Sequence, residues 1–133
     1  MSTFHLKIST PDGLAFDGEI ERLRVRMIDG DVCLLAHHAD YVSAVGAGEA
    51  AVVTADGETR HAACIGGMLA MIHNEANLIA TTFEWADDID LDRAKRAKQV
   101  AEERIAAAKD DEKALLLAKA KLQRALVRIN VKH

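Results

Sequence analysis

The sequence predicts an all-β N-terminal sandwich or flattened barrel followed by a C-terminal antiparallel α-helical hairpin. Apolar and polar residues alternate from residue 4 to about 83, and turn chemistry interrupts the alternation at short intervals. At Asp87-Asp88-Ile89-Asp90 the period changes from two to that of a helix. The corresponding domains are residues 1–86 and 87–133.

The first strand sets Phe4, Leu6 and Ile8 on one face and His5, Lys7 and Ser9 on the other. Thr10-Pro11-Asp12-Gly13 ends it, because proline presets one turn dihedral and glycine accepts a left-handed one. Asp17-Gly18 reads as a further turn, followed by a half-buried strand from Ile20 to Met27. In that strand Leu23, Val25 and Met27 point inward while Arg22, Arg24 and Arg26 point to solvent. Asp29-Gly30, Gly46-Ala47-Gly48, Asp56-Gly57 and Asn74-Glu75 supply the remaining turns. The runs Ala50 to Thr54, Thr59 to Ile65, Met68 to Ile72 and Leu78 to Phe83 read as separate short strands, and Gly66-Gly67 as a bulge or tight corner. Many short strands at this spacing suit a sandwich or barrel.

Asp87, Asp88 and Asp90 suit a helix start, where a carboxylate accepts from unpaired amides and meets the positive end of the dipole. The seam of the first helix runs Ala94, Ala97, Ala101, Ile105 and Ala108. After Lys109-Asp110-Asp111 a second stripe runs Leu115, Ala118, Leu122, Ala125 and Ile129, so the two helices should pack face to face. Alanine buries little area per turn, so the pair is expected to be marginally stable alone and able to dock or detach.

The charge pattern separates the halves further. Residues 1–88 carry 5 Lys and Arg against 14 Asp and Glu, while residues 89–133 carry 12 against 7. A basic tail on an acidic body fits attraction to the body itself, to acidic partner surfaces or to a phosphate ligand. The acidic body and the 4% aromatic content argue against a nucleic-acid partner. No run of about 18 apolar residues is present to span a membrane. The strand pattern starts almost at the first residue, and the expectation is cytosolic synthesis without a signal peptide. Cys33 and Cys64 read as small core residues, and together with His37, His38 and His61 they fit no standard zinc spacing. Trp85 reads as a packing plug between the domains, and no P-loop, nucleophile elbow or HExxH motif is found.

Folding the hairpin at about Asp110 sets residue 93 opposite roughly residue 127. Arg93 is thereby brought to Arg124 and Arg128, four apart on one helix face and beside the N-terminus of the first helix. Two readings stand. A phosphate ligand neutralises the three guanidinium groups while Asp90 or Glu84 accepts from a base or sugar, or Glu84, Asp90 and Asp92 satisfy them in surface ion pairs.

Ile89-Asp90-Leu91-Asp92-Arg93-Ala94 resembles the I/L-D-x-x-R-A nucleotide motif of epsilon subunits of bacterial F-type ATP synthases. The similarity extends over nearly the whole chain: Phe4-His5-Leu6 to Thr10-Pro11-Asp12-Gly13 is similar to that family's opening strand and turn. Gly30-Asp31 and His38-Ala39 fit a loop segment, Ile65-Gly66-Gly67 a paired-glycine corner, and Arg124-Ala125-Leu126-Val127-Arg128-Ile129 the end of the second helix. The resemblance implies a non-catalytic rotor subunit at the cytoplasmic face of the membrane, peripheral to it. Its sandwich would clamp the gamma subunit and rest on the c-ring, coupling ion-driven rotation to ATP synthesis. Its hairpin would switch between a compact state and one extended into the alpha/beta catalytic head, inhibiting ATP hydrolysis. No cofactor is required on this reading. ATP as a regulatory ligand would bind at Glu84, Ile89, Asp90, Arg93, Ala94, Arg124 and Arg128 and favour the compact state, while Asp31 and His38 would touch the c-ring.

The chain departs from the family pattern at two places. The loop Gly-x-Leu-Gly-x-x-Pro-Gly-His-Ala-Pro becomes Gly30-Asp31-Val32-Cys33-Leu34-Leu35-Ala36-His37-His38-Ala39-Asp40, losing two prolines and two glycines and so altering the loop at the implied c-ring contact. Val100 stands where some members have another basic residue, which predicts low ATP affinity or a vestigial motif. The alternatives are a free-standing soluble nucleotide-binding module and a coiled-coil adaptor.

Overall fold

The computed structural model describes residues 2–132, in two compact units that divide between Trp85 and Ala86. The first unit is a seven-stranded sandwich: β1 (Phe4–Thr10), β2 (Gly13–Met27), β3 (Gly30–Leu35), β4 (Tyr41–Ala44), β5 (Ala47–Thr54), β6 (Thr59–Ile72) and β7 (Glu75–Trp85). Its sheet runs β1-β7-β6-β5-β2 and closes on itself because β1 also pairs with β2, while β3 extends beside β2 and β4 beside β6. The β1–β7 pair is parallel and the others are antiparallel. Closure leaves β1 with no open edge.

Phe4, Leu6, Ile8, Leu23, Val25 and Met27 point into the core as their alternation predicts, joined by Ile20, Leu34, Val52, Leu69, Met71 and Leu78. Trp85 closes one end of this unit, edge-on to Phe83 at 4.8 Å and to Phe16 at 6.2 Å between centroids. Its indole N–H donates to the Ala15 carbonyl at 3.4 Å, and the Arg60 guanidinium lies 3.8 Å above its ring.

Four sequence expectations are corrected in this unit. Asp17-Gly18 is not a turn: both residues are extended within β2, where Gly18 faces Leu6 and Asp17 faces Lys7 across the β1 ladder. Pairing along two strands overrides a two-residue turn preference. The runs on either side of Gly66-Gly67 form one strand, β6, and Ala47-Gly48 belongs to β5. Cys33 is exposed on β3, opposite Arg24, and only Cys64 lies in the core.

The glycine pair makes a corner without an inserted residue. Ile65 faces Ala47 and Met68 faces Ala44, so β5 and β4 meet β6 in one continuous register. Gly66 and Gly67 have φ of +73° and +112°, and a Cβ on Gly67 would sit 1.8 Å from the Ile79 carbonyl oxygen. The left-handed step exchanges the faces of the strand: Cys64 is inward before it, and Leu69 and Met71 are inward after it. β7 changes in step, since Ala76, Leu78 and Ala80 are buried while Phe83 and Trp85 lean on the core.

In the second unit a 3-10 turn (Ala86–Asp88) leads to α1 (Leu91–Ala107) and α2 (Glu112–Lys132). Asp90 caps α1 by accepting from the Arg93 amide at 3.1 Å, and Asp111 caps α2 by accepting from the Ala114 amide at 3.0 Å. Ala94 and Ala101 on α1 and Ala118 and Ala125 on α2 are buried. They stand at equal chain distances from the turn, so Ala94 is level with Ala125 and Ala101 with Ala118. The expected place of Ala97 in this seam is corrected: Ala97 is exposed and Lys98 is half-buried. The seam advances by alternating steps of three and four, and 98 rather than 97 completes the step from 94 to 101.

Candidate functional site: one hairpin end and one sheet face

Arg93, Arg124 and Arg128 lie at the same end of the hairpin. The alanine pairing puts Arg93 at a level between the other two, with Arg93 exposed and Arg124 and Arg128 half-buried. Asp90 lies at this end as well, but one of its carboxylate oxygens is held by its capping role. Ala94 is a seam residue and Ile89 is buried, so both serve packing. Glu84 belongs to the sandwich unit, near the end of β7 and opposite Ala63. Asp87, Asp88, Asp90 and Asp92 crowd the start of α1. Four carboxylates there already answer the positive end of the helix dipole.

Asp31 lies near the start of β3, and His38 lies in the loop that follows the strand's end at Leu35. Asp31 sits between Arg24 at 3.9 Å and Arg26 at 3.8 Å, and Arg24 also holds Glu49 at 2.9 Å, which in turn meets His61 at 3.0 Å. His38 is exposed, its Nδ1 2.7 Å from the Ala39 carbonyl oxygen and its ring edge-on to Tyr41. Among the described residues no three His, Cys, Asp or Glu side chains are grouped to hold a metal ion.

A further group was missed in the sequence. Beyond the glycine corner the outward side of β4, β6 and β7 carries an aliphatic patch bordered by Glu75, opposite Ile72: Val42 is 59% exposed, Met68 46%, Ile72 45% and Ile79 61%. Ala44, Met68 and Ile79 form one row across the three strands, and Val42, Ala70 and Asn77 the next, neither containing a charge. The available signal was apolar residues on both faces of one strand, in Met68-Leu69-Ala70-Met71-Ile72 and Leu78-Ile79.

No helix among the described residues is long and apolar enough to cross a membrane. Residues 3–86 match the family "ATP synthase, Delta/Epsilon chain, beta-sandwich domain", and residues 87–132 match "ATP synthase, Delta/Epsilon chain, long alpha-helix domain". The ATP synthase epsilon chain of Nitratidesulfovibrio vulgaris is 35% identical over 130 residues, covering 98% of this chain and 96% of its own length. That of Latilactobacillus sakei is 38% identical over 132 residues, covering 96% and 91%. A chain in the cryo-EM structure of Euglena gracilis mitochondrial ATP synthase, OSCP/F1/c-ring, has the same fold, with a TM-score of 0.87 at 16% identity over all of this chain and 83% of that one. A β-sandwich followed by paired helices, matched over both parts, places the chain in the ATP synthase delta/epsilon family, among the epsilon chains of bacteria.

Proposed function

We propose that the chain is a non-catalytic rotor subunit of the central stalk of an F-type ATP synthase, seated on the gamma subunit and the c-ring at the cytoplasmic face of the membrane. The observation that carries this reading is the exposed aliphatic patch of Val42, Met68, Ile72 and Ile79 on β4, β6 and β7. Contiguous aliphatic surface of this kind is favourably removed from water by a partner. Gamma is the partner that the family implies. Tagged chain purified from native membranes in mild detergent should bring gamma and the c-ring with it. Recovery of the chain alone would favour the nucleotide-binding or adaptor alternatives.

The hairpin has a regulatory role in the same proposal. Its seam is built from alanines, and Val100, Leu116, Leu117 and Leu126 remain exposed on its outer faces, available to a second partner in the catalytic head. The three arginines at one end supply a contact for ATP, which the four nearby carboxylates keep weak. Calorimetric titration with ATP should give small heats that Arg93→Ala abolishes. Equal heats from both proteins would refute the site.

A further inference from the structure

On the outer face of the sandwich, His5 lies between two carboxylates of β2: Nε2 is 2.5 Å from Asp17 and Nδ1 is 3.2 Å from Glu19. Thr3 also donates to Glu19, at 3.1 Å. On the other side of β1, His5 is in register with Glu75 of β7. The remaining charged neighbour on this face is Lys7, in register with Asp17 and Asn77. Two carboxylates of β2 therefore flank one imidazole on the strand that closes the barrel, with Glu75 in register on β7.

Both ring nitrogens face a carboxylate, and only the imidazolium has two N–H groups to give. A neutral ring donates to one carboxylate and turns a lone pair toward the other. We propose that His5, with Asp17 and Glu19, is a pH-sensitive latch that fastens β1 to β2 and loosens it when His5 loses its proton.

Burial opposes the charged ring, but the hydrogen bonds to Asp17 and Glu19 and their charges outweigh it, so the His5 pKa is raised. A raised folded value means that the latch is fully engaged below the ordinary histidine pKa and is lost as pH climbs through the folded one. The strands themselves stay paired by backbone hydrogen bonds and core side chains, so the change is in how often β1 opens.

The test is a pH titration of the full chain by NMR, following the His5 ring and the hydrogen exchange of the β1 amides, corrected for intrinsic rates, from about pH 6 to 9. His5 should titrate above the ordinary histidine value, and opening of β1 should increase roughly threefold across that titration, the scale of one exposed ion pair. His5→Gln should remove this pH dependence, and Glu19→Gln should reduce it while β1 remains paired. An ordinary His5 titration, or the same pH dependence in His5→Gln, would overturn the proposal.

Discussion

The side-chain oxygen of Asn74 accepts a hydrogen bond from the backbone N–H of His37 at 2.6 Å, joining the β6–β7 turn to the loop after β3. The bond has a counterpart, since Asp40 accepts from the backbone N–H of His73 at 3.0 Å. His37, His73 and Asn74 all have positive φ, at 66°, 50° and 64°. The two segments therefore hold each other in left-handed conformations that neither histidine prefers alone. His37 stands where the family pattern has glycine, so the clasp supports a backbone shape that glycine would adopt unaided.

Asn74→Gly keeps the left-handed turn and removes the acceptor. The expected result is faster exchange of the His37 amide and a loss of about 1 kcal/mol. His37→Gly should instead stabilise the chain by about 1 kcal/mol, read from urea unfolding, because it relieves the strain directly.

Gly67→Ala puts a methyl group against the Ile79 carbonyl, where only movement of the β6–β7 ladder makes room. A loss of more than about 3 kcal/mol is expected, with much of the chain insoluble. Gly57→Ala is the comparison, since its φ is also positive but open space surrounds it. It should cost about 1–2 kcal/mol.

The two thiols should separate cleanly. Burial pushes the Cys64 thiol up to about 12, whereas Cys33 is exposed. At pH about 8 an alkylating reagent should label Cys33 in the native chain and Cys64 only after unfolding, as mass spectrometry can show. Native labelling of Cys64 at a rate near that of Cys33 would contradict the core described above.

Ala101→Leu adds bulk where α1 approaches the level of Ala118. The hairpin should lose about 1–3 kcal/mol and become more sensitive to proteolysis. The sandwich strands should keep their exchange protection, because Ala101 belongs to the other unit.

Residues whose pattern and pairing agree were legible in the sequence. Leu23, Val25 and Met27 alternate against three arginines, and the helical stripe of α2 runs through Ala118 and Ala125 as expected. Asp17-Gly18 misled because turn preference is local while the β1–β2 ladder is not. Gly66-Gly67 announced a disturbance, but its effect, the exchange of inward and outward faces, needed the neighbouring strands to be visible. Met68 and Ile79 were overlooked for the same reason: an apolar residue on a strand reads as core until its direction is known. At the hairpin end the arginines could be placed from the turn alone, whereas the commitment of Asp90 to a cap depends on where α1 begins.

Docking through the outward face of β4, β6 and β7 is tested most directly by titrating the isolated gamma subunit with wild-type chain and with Met68→Glu. The side chain points to solvent, so the melting temperature should hardly change. Affinity for gamma should fall by roughly 30-fold or more, as expected when a charge enters an apolar contact. Equal dissociation constants for the two proteins would contradict the docking face and, with it, the proposed seat of the chain on the stalk.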